Sequence, residues 1–264
     1  MHGIASACLP RLLETRAVDV AMIIYSEGRP PNAWNHAKRK LKKTLKIGLL
    51  GALNGVRMRA WFSEDVERRS STERLDSLAS RYGIRLEKTP VTNCQQTADL
   101  FREAQADLGL CLGNAYIAPY IYSIPRYGMV NIHSEILPAF RGAQSVVWQI
   151  YEGSSNTGYT IHQVNERIDG GNILYQETIP IEFKPTLSAT VSHNCARLRD
   201  AASTGLAYML SNYSKFVAQS KPQHEGRSFT TPTFWQFLRI VQQHKNLYRK
   251  SSTNIDLPST SKPF

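Results

Sequence analysis

The sequence predicts an α/β fold in which a mainly parallel, twisted sheet is flanked by helices and followed by a small C-terminal helical extension. Two observations carry this expectation. From Ser71 onward, short apolar runs alternate with stretches of helical period, the pattern of parallel strands joined by crossover helices. The chain has 264 residues, 42% of them hydrophobic and 20% charged, enough to bury a full core at ordinary globular composition.

Taken in order, Ile4 to Leu13 has helical spacing and Val18 to Tyr25 reads as a buried strand. Alternating α/β chains usually open on a central strand, so a first strand is expected to be missing ahead of this helix. Asn32 to Arg59 sets Lys38, Arg39, Lys40, Lys42, Lys43 and Lys46 beside Leu41, Leu45, Leu49 and Leu53. A basic amphipathic helix, broken at Gly48 or Gly51, is expected there. It could meet an anionic membrane or nucleic acid, or it could be a wet face whose leucine stripe packs on the main domain. The second reading is favoured, because a charge run usually marks a solvated surface.

Thr72 to Tyr82 reads as a helix stopped by Gly83, followed by a strand over Ile84 to Glu87. A helix over Gln95 to Ala106, a strand over Asp107 to Leu112, a short helix over Ile117 to Ser123 and a strand over Met129 to His133 follow. Next come a helix over Ser145 to Glu152, strands over Gly158 to Val164 and Ile173 to Ile181, and a long amphipathic helix over Leu187 to Lys215. The expected division is a main domain over 1–215, an extension over 216–250 with a helix from Phe234 to Tyr248, and a disordered tail over 251–264. Trp34 and Trp148 are expected in the core.

A net charge of +11 favours acidic partners without choosing among them. Cys8, Cys94, Cys111 and Cys195 form no CxxC pair, so neither zinc nor a disulfide framework is suggested, and a reducing, cytoplasmic setting fits. Arg11, Glu14, Arg16 and Asp19 interrupt the first apolar residues, so no signal peptide is expected there. The apolar run from Ile47 to Leu53 is too short to span a bilayer. No transmembrane segment is expected.

The chemistry gathers between Tyr127 and Gln176. Asn131 and His133 stand two apart in a strand and project to one face. Asp169 precedes Gly170 and Gly171. An amine attacking a carbonyl must lose a proton while the carbonyl oxygen gains charge. Histidine can carry that proton, a neighbouring carboxylate would orient the imidazole and raise its pKa, and an Asn amide can hold the oxyanion. His162 reads as support for the trio or as a packed residue. A metal held by His133, His162 and Asp169 is set aside, because no helix-spaced ligand pair supports it.

The ordered series Asn131-x-His133, Ile136-Leu137-Pro138, Gly142, Gly158-x-Thr160-x-His162, Asp169-Gly170-Gly171 and Ile173-x-x-Gln176 resembles the folate-dependent formyltransferase family. That family includes glycinamide ribonucleotide, methionyl-tRNA and sugar N-formyltransferases. The resemblance is close over Asp107 to Ile181 and implies a Rossmann-like formyltransferase fold. It implies that Asn131, His133 and Asp169 are catalytic and that N10-formyltetrahydrofolate is the formyl donor. It also implies a pterin pocket lined by Asn114, Ala115, Tyr116 and Ile117 and closed by Asn165, Glu166, Arg167 and Ile168.

Departures narrow the acceptor. Ser134-Glu135 replaces the family's usual small pair after the histidine, so Glu135 is expected to alter what the mouth accepts. Gly3 to Ser6 is a poor phosphate loop for glycinamide ribonucleotide, and too few residues follow the long helix for the C-terminal domain of methionyl-tRNA formyltransferases. Ala143-Gln144-Ser145 and Trp148 lie nearest to the sugar enzymes. The acceptor expected is therefore a small-molecule primary amine on a nucleotide-linked amino sugar, with no specific nucleic acid. Hydrolysis of formyltetrahydrofolate, formylation of another amine, and an inactive protein binding anionic lipid or nucleic acid are the alternatives. Oligomeric state is left open, with a homodimer among the options.

Overall fold

The computed structural model describes residues 3–16, 18–28, 33–70, 72–113, 116–142 and 144–253. Helix α1 (Ile4–Thr15) precedes strand β1 (Ile23–Ser26), which pairs in parallel with β2 (Leu86–Thr89). Between them lie α2 (Ala33–Ile47), α3 (Leu49–Phe62), α4 (Glu64–Ser70) and α5 (Leu75–Arg81). Helix α6 (Gln95–Ala104) then leads to β3 (Gly109–Cys111), α7 (Pro119–Tyr122) and β4 (Met129–His133). The short β5 (Arg141–Gly142) and α8 (Val147–Tyr151) precede the hairpin of β6 (Asn156–Gln163) and β7 (Ile173–Pro180). The chain continues through α9 (Leu187–Ser211), α10 (Tyr213–Ala218), β8 (Ser228–Phe229) and α11 (Phe234–Thr253).

The class is the expected α/β. β3 and β4 pair in parallel, as do β5 and β8, while β4–β6 and β6–β7 are antiparallel. The four-stranded sheet in the order β3-β4-β6-β7 is therefore mixed. The β6–β7 pair is antiparallel because the link between these strands is too short for a parallel crossover. Strand β6 is buried along nearly its whole length, whereas β7 alternates, as befits a covered strand beside an edge strand.

Helix α9 covers this sheet. Gly205 leaves room for the ring of Tyr159, whose hydroxyl donates to Glu177 at 2.6 Å. Thr186 caps α9 by accepting from the Ala189 amide at 3.2 Å. The helix ends at Ser211, and Lys215 lies in the separate α10. Helix α1 serves two cores: Cys8 and Leu12 enter the main core, and Leu9 packs with Leu75 and Leu78 beneath β1 and β2. Burial pushes the Cys8 thiol up to about 12, so it stays a protonated, apolar filler.

The basic segment breaks where expected, at Gly48 with φ 77°, a left-handed conformation that favours glycine. Its leucine stripe, however, does not pack on the main domain. Leu41, Leu45, Leu49 and Leu53 are 61%, 76%, 70% and 58% exposed. Burial falls instead to Ile47, Gly51, Met58 and Trp61, because α3 meets the chain ahead of α11 where Gly51 and Gly55 approach Pro232, Thr233 and Thr231. Trp34 is likewise exposed, and Trp148 is buried. Of the expected tail, residues 251–253 belong to α11, and 254–264 lie outside the described residues.

Because Leu12 is 2% exposed within the main core, Leu12→Ala should lower the unfolding free energy by about 2–5 kcal/mol. Urea denaturation checks this; an unchanged midpoint would show that α1 does not stabilise the fold.

Candidate active site

The antiparallel register sets Asn131 opposite His162 and His133 opposite Thr160. Both β4 side chains border a cavity of about 940 Å³. Asp169 reaches it from the loop between β6 and β7, with φ 51°. Its Oδ1 lies 3.6 Å from His133 Nδ1 and 3.9 Å from His162 Nε2, while its Oδ2 accepts from the Gly142 amide at 3.3 Å. The structure thus brings together three side chains separated by 38 positions in the chain, 131 to 169.

Hydrogen bonds assign the imidazoles. His162 Nδ1 stands 2.8 Å from the Gln163 carbonyl, which can only accept, so Nδ1 carries the proton. Nε2 then accepts from Asn131 Nδ2 at 3.1 Å. Burial lowers the pKa of His162, which favours this neutral form. One amide hydrogen of Asn131 is held in this way, and its second is left to point elsewhere. His133 Nε2 donates to the Phe140 carbonyl at 3.0 Å. In the neutral ring the Nδ1 lone pair is then the basic site, and it faces Asp169.

The loop joining β4 to β5 is held by a buried hub that sequence reasoning left without a role. Thr160 Oγ1 donates to the Glu135 carbonyl at 2.7 Å and accepts from the Leu137 amide at 3.1 Å. Gln176 Nε2 donates to the Leu137 carbonyl at 2.9 Å and to Thr160 Oγ1 at 2.8 Å. The Leu137-Pro138 peptide is cis. The signal was present in the motifs, but the function of Thr160 and Gln176 as a clamp on that loop depends on the fold. At Gly142 an added Cβ would run into the Phe229 carbonyl of β8, and at Gly171 into that of Gln163. These glycines let the loops on both sides of Asp169 close.

The residues expected at the pterin pocket divide. Tyr116, Ile117, Asn165, Arg167 and Ile168 border the cavity; Glu166 is exposed and does not. Asn114 and Ala115 lie outside the described residues, as does Ala143. Asn93, unnoticed in sequence, fastens the segment: its Nδ2 donates to the Tyr116 carbonyl at 2.9 Å, and its Oδ1 accepts from the Ala118 amide at 2.8 Å. Cys111, Ile117, Val164 and Ile168 supply apolar wall beside the polar trio, a combination that suits a flat heteroaromatic ring carrying a reactive group.

Glu135, expected to shape the mouth, borders the cavity; it is 3% exposed, and Gln149 of α8 donates to its carboxyl. Burial raises its pKa well above the ordinary carboxylate value, which favours the neutral form carrying an O–H. Gln149 Oε1 is a buried acceptor without a partner, and a protonated Glu135 is the donor that would suit it. The opposite wall comes from Gly55, Arg59 and Phe62 of α3 and Arg199 of α9. Arg199 pairs with Glu67 at 2.8 Å.

A family profile described as formyl transferase matches residues 67–209. A methionyl-tRNA formyltransferase of Synechocystis sp. is 29% identical over 157 residues, covering 59% of this chain and 46% of that protein. One from Ehrlichia canis is 40% identical over 97 residues, covering 37% and 31%. The chain spans less than half the length of either curated relative. Among solved structures, phosphoribosylglycinamide formyltransferase from Anaplasma phagocytophilum aligns with a TM-score of 0.51 at 18% identity, covering 80% of this chain and 84% of that one. Helices α2 and α3 precede the span that the family profile matches.

Two outcomes follow from this geometry. Thr160→Val should cost roughly 2–4 kcal/mol, because buried partners on the loop lose their bonds; an unchanged urea midpoint would remove the clamp. The raised pKa of Glu135 means that the folded state binds its proton more tightly. The stability from that proton is full below the unfolded carboxyl pKa of about 4.3 and is lost as pH rises through the folded value. Glu135→Gln should therefore gain stability relative to the parent as pH increases above about 4.3; parallel stability profiles would refute a neutral Glu135.

Proposed function

The chain belongs to the formyl transferase family, and from that premise we propose that it transfers a formyl group from N10-formyltetrahydrofolate to a primary amine, that of a nucleotide-linked amino sugar. The observation that carries this reading is the convergence of Asn131, His133 and Asp169 on one cavity wall. The donor, when bound, supplies an activated formyl group. The apolar wall from Ile117 to Ile168 fits its ring in chemistry, and the cavity is large enough for it.

The hydrogen bonds support a role for each residue. Asn131, its amide oriented by His162, offers its remaining N–H to a carbonyl oxygen that gains charge. His133 takes the amine proton at Nδ1, Asp169 stabilises the imidazolium so formed, and the same proton can then pass to the departing nitrogen of the donor as its bond to the formyl carbon breaks. The Gly142 amide keeps Asp169 turned toward that nitrogen. Arg59 and Phe62 support the acceptor assignment: a guanidinium without a carboxylate partner among the described residues, beside an aromatic face. Those groups suit the phosphates and base of a nucleotide. The four cysteines, spaced without a CxxC pair, suit a reducing, cytoplasmic setting.

A panel of nucleotide-linked amino sugars, assayed for formyl transfer from the folate donor, tests the reading. At least one should be formylated. His133→Ala and Asn131→Ala should each lower kcat by roughly a hundredfold or more with the fold intact by circular dichroism. Transfer that survives both substitutions would overturn the mechanism. Formate release indifferent to any amine would assign hydrolysis instead, and transfer confined to an aminoacyl-tRNA would replace the sugar.

A further inference from the structure

Helices α2 and α3 carry a surface that the catalytic reading does not use. From Ala33 to Phe62 the chain has eight lysines and arginines and no aspartate or glutamate. Lys38, Lys42 and Lys46 are exposed and recur every fourth residue, so they form one row along α2. Leu41 and Leu45 stand in a neighbouring row on α2, and Leu49 and Leu53 lie beyond the Gly48 break on α3, all four exposed. Leu50 and Val56 extend the apolar surface along α3.

That surface is not an unfinished part of the core. Helix α3 is already seated through Gly51, Gly55, Met58 and Trp61, so its leucines face away from a contact that exists. Adjoining rows of leucine and lysine on α2, followed by exposed leucines on α3, are the combination that lies in a membrane interface. Leaving six large apolar side chains of two successive helices in water, Leu41, Leu45, Leu49, Leu50, Leu53 and Val56, is costly and marks an interaction site. No helix among the described residues is long and apolar enough to cross a membrane, so the element can lie on a bilayer but not span it.

We propose that α2 and α3 dock this protein on a bilayer containing anionic lipid, with the leucine row entering the acyl boundary and the lysine row meeting the headgroups. Charge complementarity selects this occupant. A nucleic acid would neutralise the lysines but leave the leucines in water. A second copy would set two acid-free cationic surfaces against each other. Docking requires no formyl transfer, and it sets the helix bearing Gly55, Arg59 and Phe62, hence one cavity wall, at the lipid surface.

Sedimentation of the whole chain with vesicles of phosphatidylcholine alone, and of phosphatidylcholine with phosphatidylserine, tests the proposal independently of any catalytic assay. The protein should bind the anionic vesicles and not the neutral ones. Leu45→Ser, Leu49→Ser and Leu53→Ser combined should weaken binding roughly tenfold or more. Lys38→Gln, Lys42→Gln and Lys46→Gln combined should weaken it roughly a hundredfold at low salt. All six positions are exposed, so both variants should keep the parent's thermal midpoint. Absence of vesicle binding, or a leucine variant that binds like the parent, would overturn the proposal. Leucine-independent binding to duplex RNA or polyglutamate at matching affinity would also overturn it, as would a leucine-dependent dimer without vesicle binding.

Discussion

The antiparallel pairing of β4 with β6 is the constraint on which the site depends. It sets Asn131 beside His162 and His133 beside Thr160, and a slip of one residue would turn every side chain of one strand to the wrong face. The pairing is secured by side chains as well as by the backbone ladder. Thr160, fully buried, bonds to both ends of the turn that follows His133, and Gln176 on β7 reaches across to the same turn. Strand register, loop position and imidazole position are therefore one linked arrangement, and the Phe140 carbonyl that fixes His133 belongs to the loop held by that hub.

Three bodies of apolar packing support this arrangement. The main core joins the mixed sheet to α9 and α11, a second sets Ala98, Ile117 and Ile121 against Cys111 of β3 and Met129 of β4, and a third lies under β1 and β2. Helix α1 stands between the first and the third, with apolar residues facing both. Charge is distributed in the opposite sense. Glu135, deep in the fold without a cationic partner in hydrogen-bond contact, is held neutral by desolvation. The α2–α3 segment concentrates cations at the surface with no acid to balance them.

The carboxylate of the trio shows how backbone constraints serve side-chain chemistry. Asp169 occupies a left-handed conformation, and the glycines after it permit close passage along Gln163 and Arg167. Gly142, forced close to β8, donates its amide to the same carboxylate. Two loops distant in sequence thus meet at one oxygen pair. Hydrogen-bonded fixation of this kind limits reorganisation when charge develops, which is where most of the value of a preorganised site lies.

By itself the sequence determined the α/β class, most element positions and the identity of the chemical groups, because strand period, helix period and an ordered motif series are local signals. Met129 to His133 coincides with β4, and the break at Gly48 follows from glycine's backbone freedom. What only tertiary structure decided is which faces find partners. The leucine stripe of α2 and α3 has the period of a packed helix, yet packing fell to Gly51, Met58 and Trp61, because α11 and its approach segment occupy that side. Glu135 reads as a residue of the mouth in the chain, and its burial, which favours the neutral acid, comes from α8 closing over it. Thr160, Gln176 and Asn93 carried no readable function until long-range folding set the loops they hold beside them. Periodicity reports that a residue has a buried or exposed preference; only the contacts decide what satisfies it.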